Sequence, residues 1–449
     1  MKNYYVLISV FCTSILFSQS KEDLKEVIKN TNVPELMELN KKFQAEYAER
    51  QERINDYLLK NPQASRVIKD EFSKKEIYDV VNGEVSYYVT SNAGSSATIR
   101  TNRLYSGGSL GLNVQGQGMK AFVWDGGGAR TTHVEFPNNK VNIIDGAALD
   151  DHATHVTGTI VAQGLTASLK GIAFDASADS YDWNNDYGEM AIEAASGMLV
   201  SNHSYWIGQN ARWNFGAYDS RARSFDQIAF NAPFYLAVTA AGNDRNDSAD
   251  PLIGPYLNQK FGYNLIRGMQ NGKNFLTVGA VSQVSNYTGP DSVVMSSFSS
   301  WGPTDDGRIK PEIVAKGVSV RSTLVSSDTA SGLKSGTSMA SPAVTGAVVL
   351  MQQHYHNIFN NYMRAATVKG LLLHTADEAG IYDGPDYEYG WGLLNAEKAA
   401  NVITGKNVGS TIIDELTLNN SQTYTRSITV NGTEPLMVSI SWTDRPGTA

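Results

Sequence analysis

The run Gly336-Thr337-Ser338-Met339-Ala340-Ser341-Pro342, continued by the small apolar stretch Ala343 to Met351, restricts this chain more than any other segment. A hydroxyl stands where a loop turns into a helix. Ala340, Ala343, Gly346 and Ala347 recur at helical spacing and are small enough for another backbone to lie close. Pro342 is expected in the opening turn, where a missing amide costs nothing. That turn also carries amides with no partner inside the helix, and its dipole favours negative charge. A serine placed there suits a reaction in which an oxyanion forms. An isolated serine at a helix start is more often a plain cap, so its meaning depends on partners elsewhere.

The chain has 449 residues, enough for a large core and more than one domain, with 41% hydrophobic residues and a formal net charge of −8. That balance, without a basic stripe, argues against a nucleic-acid partner. After the first twenty residues no apolar run is long enough to span a bilayer. Lys2, the apolar Tyr4 to Phe17 and the small Ser18-Gln19-Ser20 have the order of a secretory signal, ending abruptly at Lys21-Glu22-Asp23. A buried first strand is the plainer alternative. Cys12, the single cysteine, lies inside that signal behind Phe11, which argues against a lipid anchor. A processed chain would be free of cysteine, leaving its stability to the core or to bound ions.

From 21 to about 62, Leu36, Leu39, Phe43, Tyr47, Ile54 and Leu58 mark one face of a long charged helix that ends at Asn61-Pro62. Residues 83–92 alternate like a strand. Residues 21–100 are therefore expected to form a separate N-terminal module. Met119 to Trp124 is a buried-strand pattern stopped by Asp125-Gly126-Gly127-Gly128, and Asp150-Asp151-His152 opens a helix. Met198 to Ser204 and Phe234 to Ala241 are further strands, the second ending at Gly242-Asn243. Strands alternating with helices imply an α/β domain over 101–404, a doubly wound and mostly parallel sheet with helices on both faces. Its candidate residues then fall after strand ends (Asp125, Asn243) or at helix starts (His152, Ser338), where such sheets place their sites. Thr423 to Val430 and the alternating Leu436, Val438, Ile440 and Trp442 predict strands of a β-sandwich-like domain beginning near 405, too few to close it by Ala449. Further β structure beyond Ala449 is expected.

Three segments resemble the subtilases, the subtilisin-like serine peptidases: Val123-Trp124-Asp125-Gly126-Gly127, His152-Ala153-Thr154-His155-Val156-Thr157-Gly158 and Gly336 to Pro342. Their order, Asp then His then Ser, is that family's order. Ala240-Ala241-Gly242-Asn243 resembles the segment with the oxyanion asparagine. Ser297 to Pro303, with Lys310-Pro311-Glu312, resembles a stretch ahead of the serine motif. The resemblance spans roughly 105 to 400. It implies a secreted serine endopeptidase acting on polypeptides through an acyl-enzyme, with Asp125, His152 and Ser338 as the triad and Asn243 as the oxyanion donor. Ser204-Tyr205-Trp206 and Ala240, Ala241 and Gly242 resemble the strands that hold an extended substrate, by pairing at a sheet edge. The charged amphipathic helix upstream of the first of these motifs suggests that residues 21–100 act as a removable propeptide. No cofactor is needed for this chemistry, and structural calcium is left open without a site, since no Asp-x-Asp-x-Asp-Gly loop occurs.

Three positions depart from the family pattern. Gly126 replaces a hydroxyl residue after the aspartate, Ala153 replaces glycine after the histidine, and Trp206 replaces glycine and narrows the specificity pocket. Two rivals stay open, an esterase or acyl transferase using the same triad and a non-catalytic peptide-binding scaffold. No Gly-x-Ser-x-Gly elbow favours the first. His155 lacks the His-Glu-x-x-His context of a zinc helix and is expected to be a core residue, as is His203. His133 is given no catalytic role, and His354 and His356 are expected in solvent. Asp305-Asp306 fits an ordinary turn, and Trp183 to Tyr187 either wall the substrate groove or serve as loop scaffolding.

Overall fold

The computed structural model describes residues 22, 24–69, 74–81, 84–90, 96–209, 211–251, 253–430, 432–433 and 435–449. The signal-like stretch lies outside them. The charged N-terminal region forms α1 (Lys25–Lys29) and α2 (Val33–Lys60), two helices where the sequence suggested one. The break follows from local chemistry. The Asn32 side chain accepts the Glu35 amide at 3.4 Å, and Pro34 has no amide to continue the helix backwards. Leu36, Leu39 and Phe43 on α2 are buried, as their spacing implied. Strands β1 (Val67–Lys69), β2 (Lys74–Val81) and β3 (Glu84–Thr90) follow as an antiparallel meander.

The alternating pattern beyond residue 100 becomes β4 (Lys120–Asp125), β5 (Val141–Ile143), α3 (Asp151–Val161), β6 (Ser177–Asp182), α4 (Asp186–Ala195), β7 (Val200–His203), β8 (Tyr205–Gln209), α5 (Ser220–Asn231), β9 (Leu236–Ala240), α6 (Ile253–Lys260), β10 (Leu276–Val281) and β11 (Ile313–Lys316). Seven of these strands form one sheet in the order β11-β10-β9-β7-β4-β6-β5, parallel at every pairing. Such a sheet must be covered on both faces, and β4 shows how. Ala121 and Val123 join the core under one face, while Phe122 and Trp124 join an aromatic cluster on the other. From β4 the chain builds outward in both directions, so the strand order switches between β4 and β7. Asp125 ends β4 and Ser204 follows β7, which puts both at the switch point.

A hairpin of β12 (Val320–Thr323) and β13 (Ser331–Lys334) leads into α7 (Thr337–Phe359). This helix packs under β4, β7, β9, β10 and β11, with α3 beside it. Gly346 meets Ile172 so closely that any added side-chain carbon would collide with it. Helices α8 (Ala365–His374) and α9 (Ala396–Val408) complete that layer. The other face is covered by α4, α5 and the N-terminal α2, whose Leu36, Leu39 and Phe43 share a cluster with Trp124, Tyr187 and Met190. Each such side chain removed from water contributes about 1.5–3 kcal/mol. The Asn40 side chain donates to the Gly188 carbonyl at 2.7 Å, and β3 pairs antiparallel with β8, so the module is docked at two places.

Two expectations are corrected. Pro342 is the sixth residue of α7 and lies beyond its first turn. The strands expected at 423–430 and 436–442 do not form, because among the described residues no neighbouring strand takes their amides, and Leu436, Val438, Ile440 and Trp442 are exposed. This stretch instead drapes over the body, with the Asp444 amide on the Asn274 side chain at 2.7 Å and the His374 imidazole 2.8 Å from the Ser439 hydroxyl.

Glu189 on α4 receives the Trp124 indole N–H at 2.9 Å. Burial pushes its carboxyl up to about 9, and Asp145, Asp182 and Asp186 add repulsion. The folded state therefore holds this proton more tightly than the unfolded chain, so stability is full below the ordinary carboxylate range and falls as pH rises towards 9. Thermal melts of the Ser338→Ala protein are expected to show this decline, and Glu189→Gln to flatten it.

Candidate active site

Asp125 is held at the end of β4 and is fully buried. His152 lies in the first turn of α3, which begins there because the Asp150 side chain caps the amides of His152 at 2.8 Å and Ala153 at 3.1 Å. The turn aims the imidazole back at the sheet, and His152 Nδ1 stands 2.6 Å from Asp125 Oδ1. The Gly126 amide donates to the same oxygen at 2.6 Å, while Asp125 Oδ2 has no partner among the described residues. Burial pushes the Asp125 carboxyl above its usual range, against the pull of His152.

Ser338 is the second residue of α7 and is 2% exposed. Its hydroxyl donates to the Ser204 carbonyl at 2.9 Å, and the Ser204 hydroxyl donates to the Ser338 carbonyl at 2.7 Å. The second bond has a clear origin. Pro342 has no amide to offer the carbonyl four residues before it, which is that of Ser338. Ser204 supplies the missing donor and locks the helix start onto the β7–β8 junction.

Asn243 follows β9 and turns its side chain to the same helix start. Its Oδ1 accepts the Thr337 amide at 2.8 Å and the Thr337 hydroxyl at 3.2 Å. Thr337 Oγ1 in turn accepts the Gly242 amide at 3.1 Å. Both contacts fall on the side-chain oxygen of Asn243.

The proposed substrate strands divide. Tyr205 and Trp206 lie on β8, whose edge is taken by β3 with Thr90 opposite Tyr205 and Val89 opposite Trp206. The Tyr205 side chain points into the core, where its hydroxyl donates to Asp186 at 2.8 Å, and burial pushes that carboxyl up to about 6. Ala240 and Ala241 are buried, and Gly242 gives its amide to Thr337 and its carbonyl to the Ser300 amide at 2.9 Å. Gly242 adopts φ +106°, which a side chain would strain.

Other polar residues have structural tasks. Burial holds His155 and His203 down near about 3. His155 Nε2 faces the Val320 carbonyl at 3.1 Å, and His203 lies 2.7 Å from the Ser201 hydroxyl. His133 faces the Ala330 carbonyl at 2.9 Å. His354, expected in solvent, is buried on α7 against the Thr404 hydroxyl at 2.9 Å, because α9 covers that face. His356 stacks on Tyr362. Trp183 is fully buried and gives its indole N–H to Glu76 of β2 at 3.1 Å, so it is scaffolding. Asp306 pairs with Arg308 within its turn, as expected. Lys310 and Lys369 both bond Glu312 below the sheet.

Asp125, Asp150 and His152 offer ligand atoms within 4.8 Å of one another. Asp150 Oδ1 is used by two amides and Asp125 Oδ1 by His152 and Gly126.

The family model for the subtilases matches residues 80–392, and the chain belongs to the subtilase family. The match begins inside β2, ahead of the boundary expected near 100. Subtilisin DY of Bacillus licheniformis is 30% identical over 255 residues, covering 56% of this chain and 77% of that protein. C5a peptidase of Streptococcus pyogenes is 31% identical over 189 residues, 39% of this chain, and an extracellular serine protease of Serratia marcescens is 26% identical over 310 residues, 57% of this chain. The aligned parts span only 16% and 28% of those two longer relatives.

Ser204→Ala leaves the carbonyl freed by Pro342 without a donor, and an unpaired buried group of this kind costs about 1–3 kcal/mol. Denaturant unfolding on the Ser338→Ala background is expected to lose stability in that range.

Proposed function

We propose that this chain is a secreted serine endopeptidase that cleaves polypeptides through Asp125, His152 and Ser338. The observation that carries the proposal is the 2.6 Å contact between His152 and the buried Asp125, made at the same end of the sheet as the start of α7. Ser338 Oγ attacks the peptide carbonyl while His152 takes its proton. Asp125 fixes the imidazole so that Nδ1 carries the other proton, and it stabilises the cation that forms. The tetrahedral oxyanion receives the Asn243 side-chain N–H and the Ser338 amide. Collapse expels the amine with the proton from His152. Water, deprotonated by the same imidazole, then releases the acid and restores Ser338.

In this proposal residues 21 to about 100 are a module that assists folding and closes the groove until it is cut away. Support comes from β3, which already pairs with the edge of β8 that an extended substrate would use. The leader-like first twenty residues support export, as do relatives named as an extracellular protease and a C5a peptidase.

A fluorophosphonate probe is expected to label Ser338, with labelling lost in Ser338→Ala. A folded protein that does not react would make it the non-catalytic scaffold. Asn243→Ala is expected to lower kcat by roughly 100- to 1000-fold, and Asp125→Asn by on the order of 10⁴. N-terminal sequencing of secreted protein is expected to begin beyond the module; a start at residue 19 or 21 would defeat its removal.

A further inference from the structure

Arg267 precedes a short turn, Gly268–Asn271, and is 3% exposed. Its Nη2 donates to Asp244 at 2.6 Å, and its guanidinium lies 3.6 Å from the centre of the Trp206 ring. Nε and Nη1 donate to nothing among the described residues. Two idle donors on a buried cation are unfavourable unless an acceptor visits the site. The mechanism above uses neither.

The location says which acceptor. Asp244 is the residue after Asn243. Trp206 is the second residue after Ser204, whose carbonyl holds the Ser338 hydroxyl. The turn behind Arg267 is tied to β8 by Gln270, which donates to the Tyr205 carbonyl at 2.8 Å. The guanidinium thus sits between the two elements that flank the nucleophile, the β8 strand and the Asn243 turn. We propose that Arg267 forms the floor of the primary specificity subsite and selects an acidic side chain on the residue whose carbonyl is attacked. The assignment rests on Ser338 and Asn243 acting as proposed above.

The chemistry favours a carboxylate. The Trp206 ring covers one face of the guanidinium, so a ligand meets it edge-on, in the plane where its N–H groups point and carboxylates bind best. Among the described residues, Asp244 is the carboxylate in ion-pair contact with Arg267. Arg245, on the same turn, stacks over Trp301 at 3.6 Å and has no ion-pair partner among the described residues. The turn itself carries one cation, Arg245, and one anion, Asp244, with Asp247 directly after it. An aliphatic or aromatic side chain would enter without using the idle donors.

The test is a set of peptides that differ only at the residue on the acyl side of the cleaved bond, carrying Glu, Asp, Gln, Ala or Phe, assayed with the processed enzyme. Glu or Asp is expected to exceed Ala and Phe in kcat/KM by roughly 10- to 100-fold, the worth of one hydrogen bond to a charged group. Arg267→Gln is expected to bring the Glu-to-Ala ratio close to one, and Arg267→Lys to keep part of it. Fluorophosphonate labelling of each variant reports on the fold and the nucleophile separately. Wild-type preference for Ala or Phe would overturn the assignment, as would an unchanged ratio in an Arg267→Gln protein that still labels. A wild-type protein that neither labels nor cleaves would remove the peptidase proposal and this one together.

Discussion

A helix whose small face lies under five parallel strands can be positioned in few ways, and this one carries Ser338 at its start. Helix α7 is buried from Thr337 to His354, and its neighbours leave no room for larger residues at positions such as Gly346. Its start is fixed from two directions. Asn243 takes the Thr337 amide, and Ser204 exchanges two hydrogen bonds with Ser338. Both anchors come from strand ends of the same sheet, so the sheet's register sets where the hydroxyl stands. Proline inside the helix, which ordinarily weakens a helix, here creates the acceptor that Ser204 fills.

The buried pair of Asp125 and His152 belongs to the same logic. A carboxylate out of reach of water is costly unless its lone pairs are used. Asp125 spends one oxygen on two donors and leaves the other bare.

Much of this was legible in the chain. The apolar runs ending at Asp125 and Asn243, the capped start at Asp150 and the loop-to-helix turn at Gly336 mark strands and helices by local chemistry alone, and the structure keeps them. What was not legible depends on distant partners. His354 is buried because α9 folds over it, and Trp183 faces inward because Glu76 of β2, far away in the chain, meets it. The strands near the end of the chain had the right alternation, but alternation supplies no partner. Arg267 gave no local signal, since its importance arises from contacts with Trp206 and Asp244, each many residues away. The break between α1 and α2 had a visible cause in Asn32 and Pro34, which a count of apolar residues passes over.

The pairing of β3 with β8 carries a kinetic consequence. Any peptide added to that edge must first displace a strand of the same molecule, and a tethered rival acts at an effective concentration on the order of millimolar. Its advantage comes from the chain connection as much as from its contacts. Severing the backbone between β3 and the sheet would turn that standing rival into an ordinary ligand, whose hold then falls with dilution. How strongly the intact molecule excludes other peptides is therefore a property of chain connectivity, which the shape of the groove alone does not reveal.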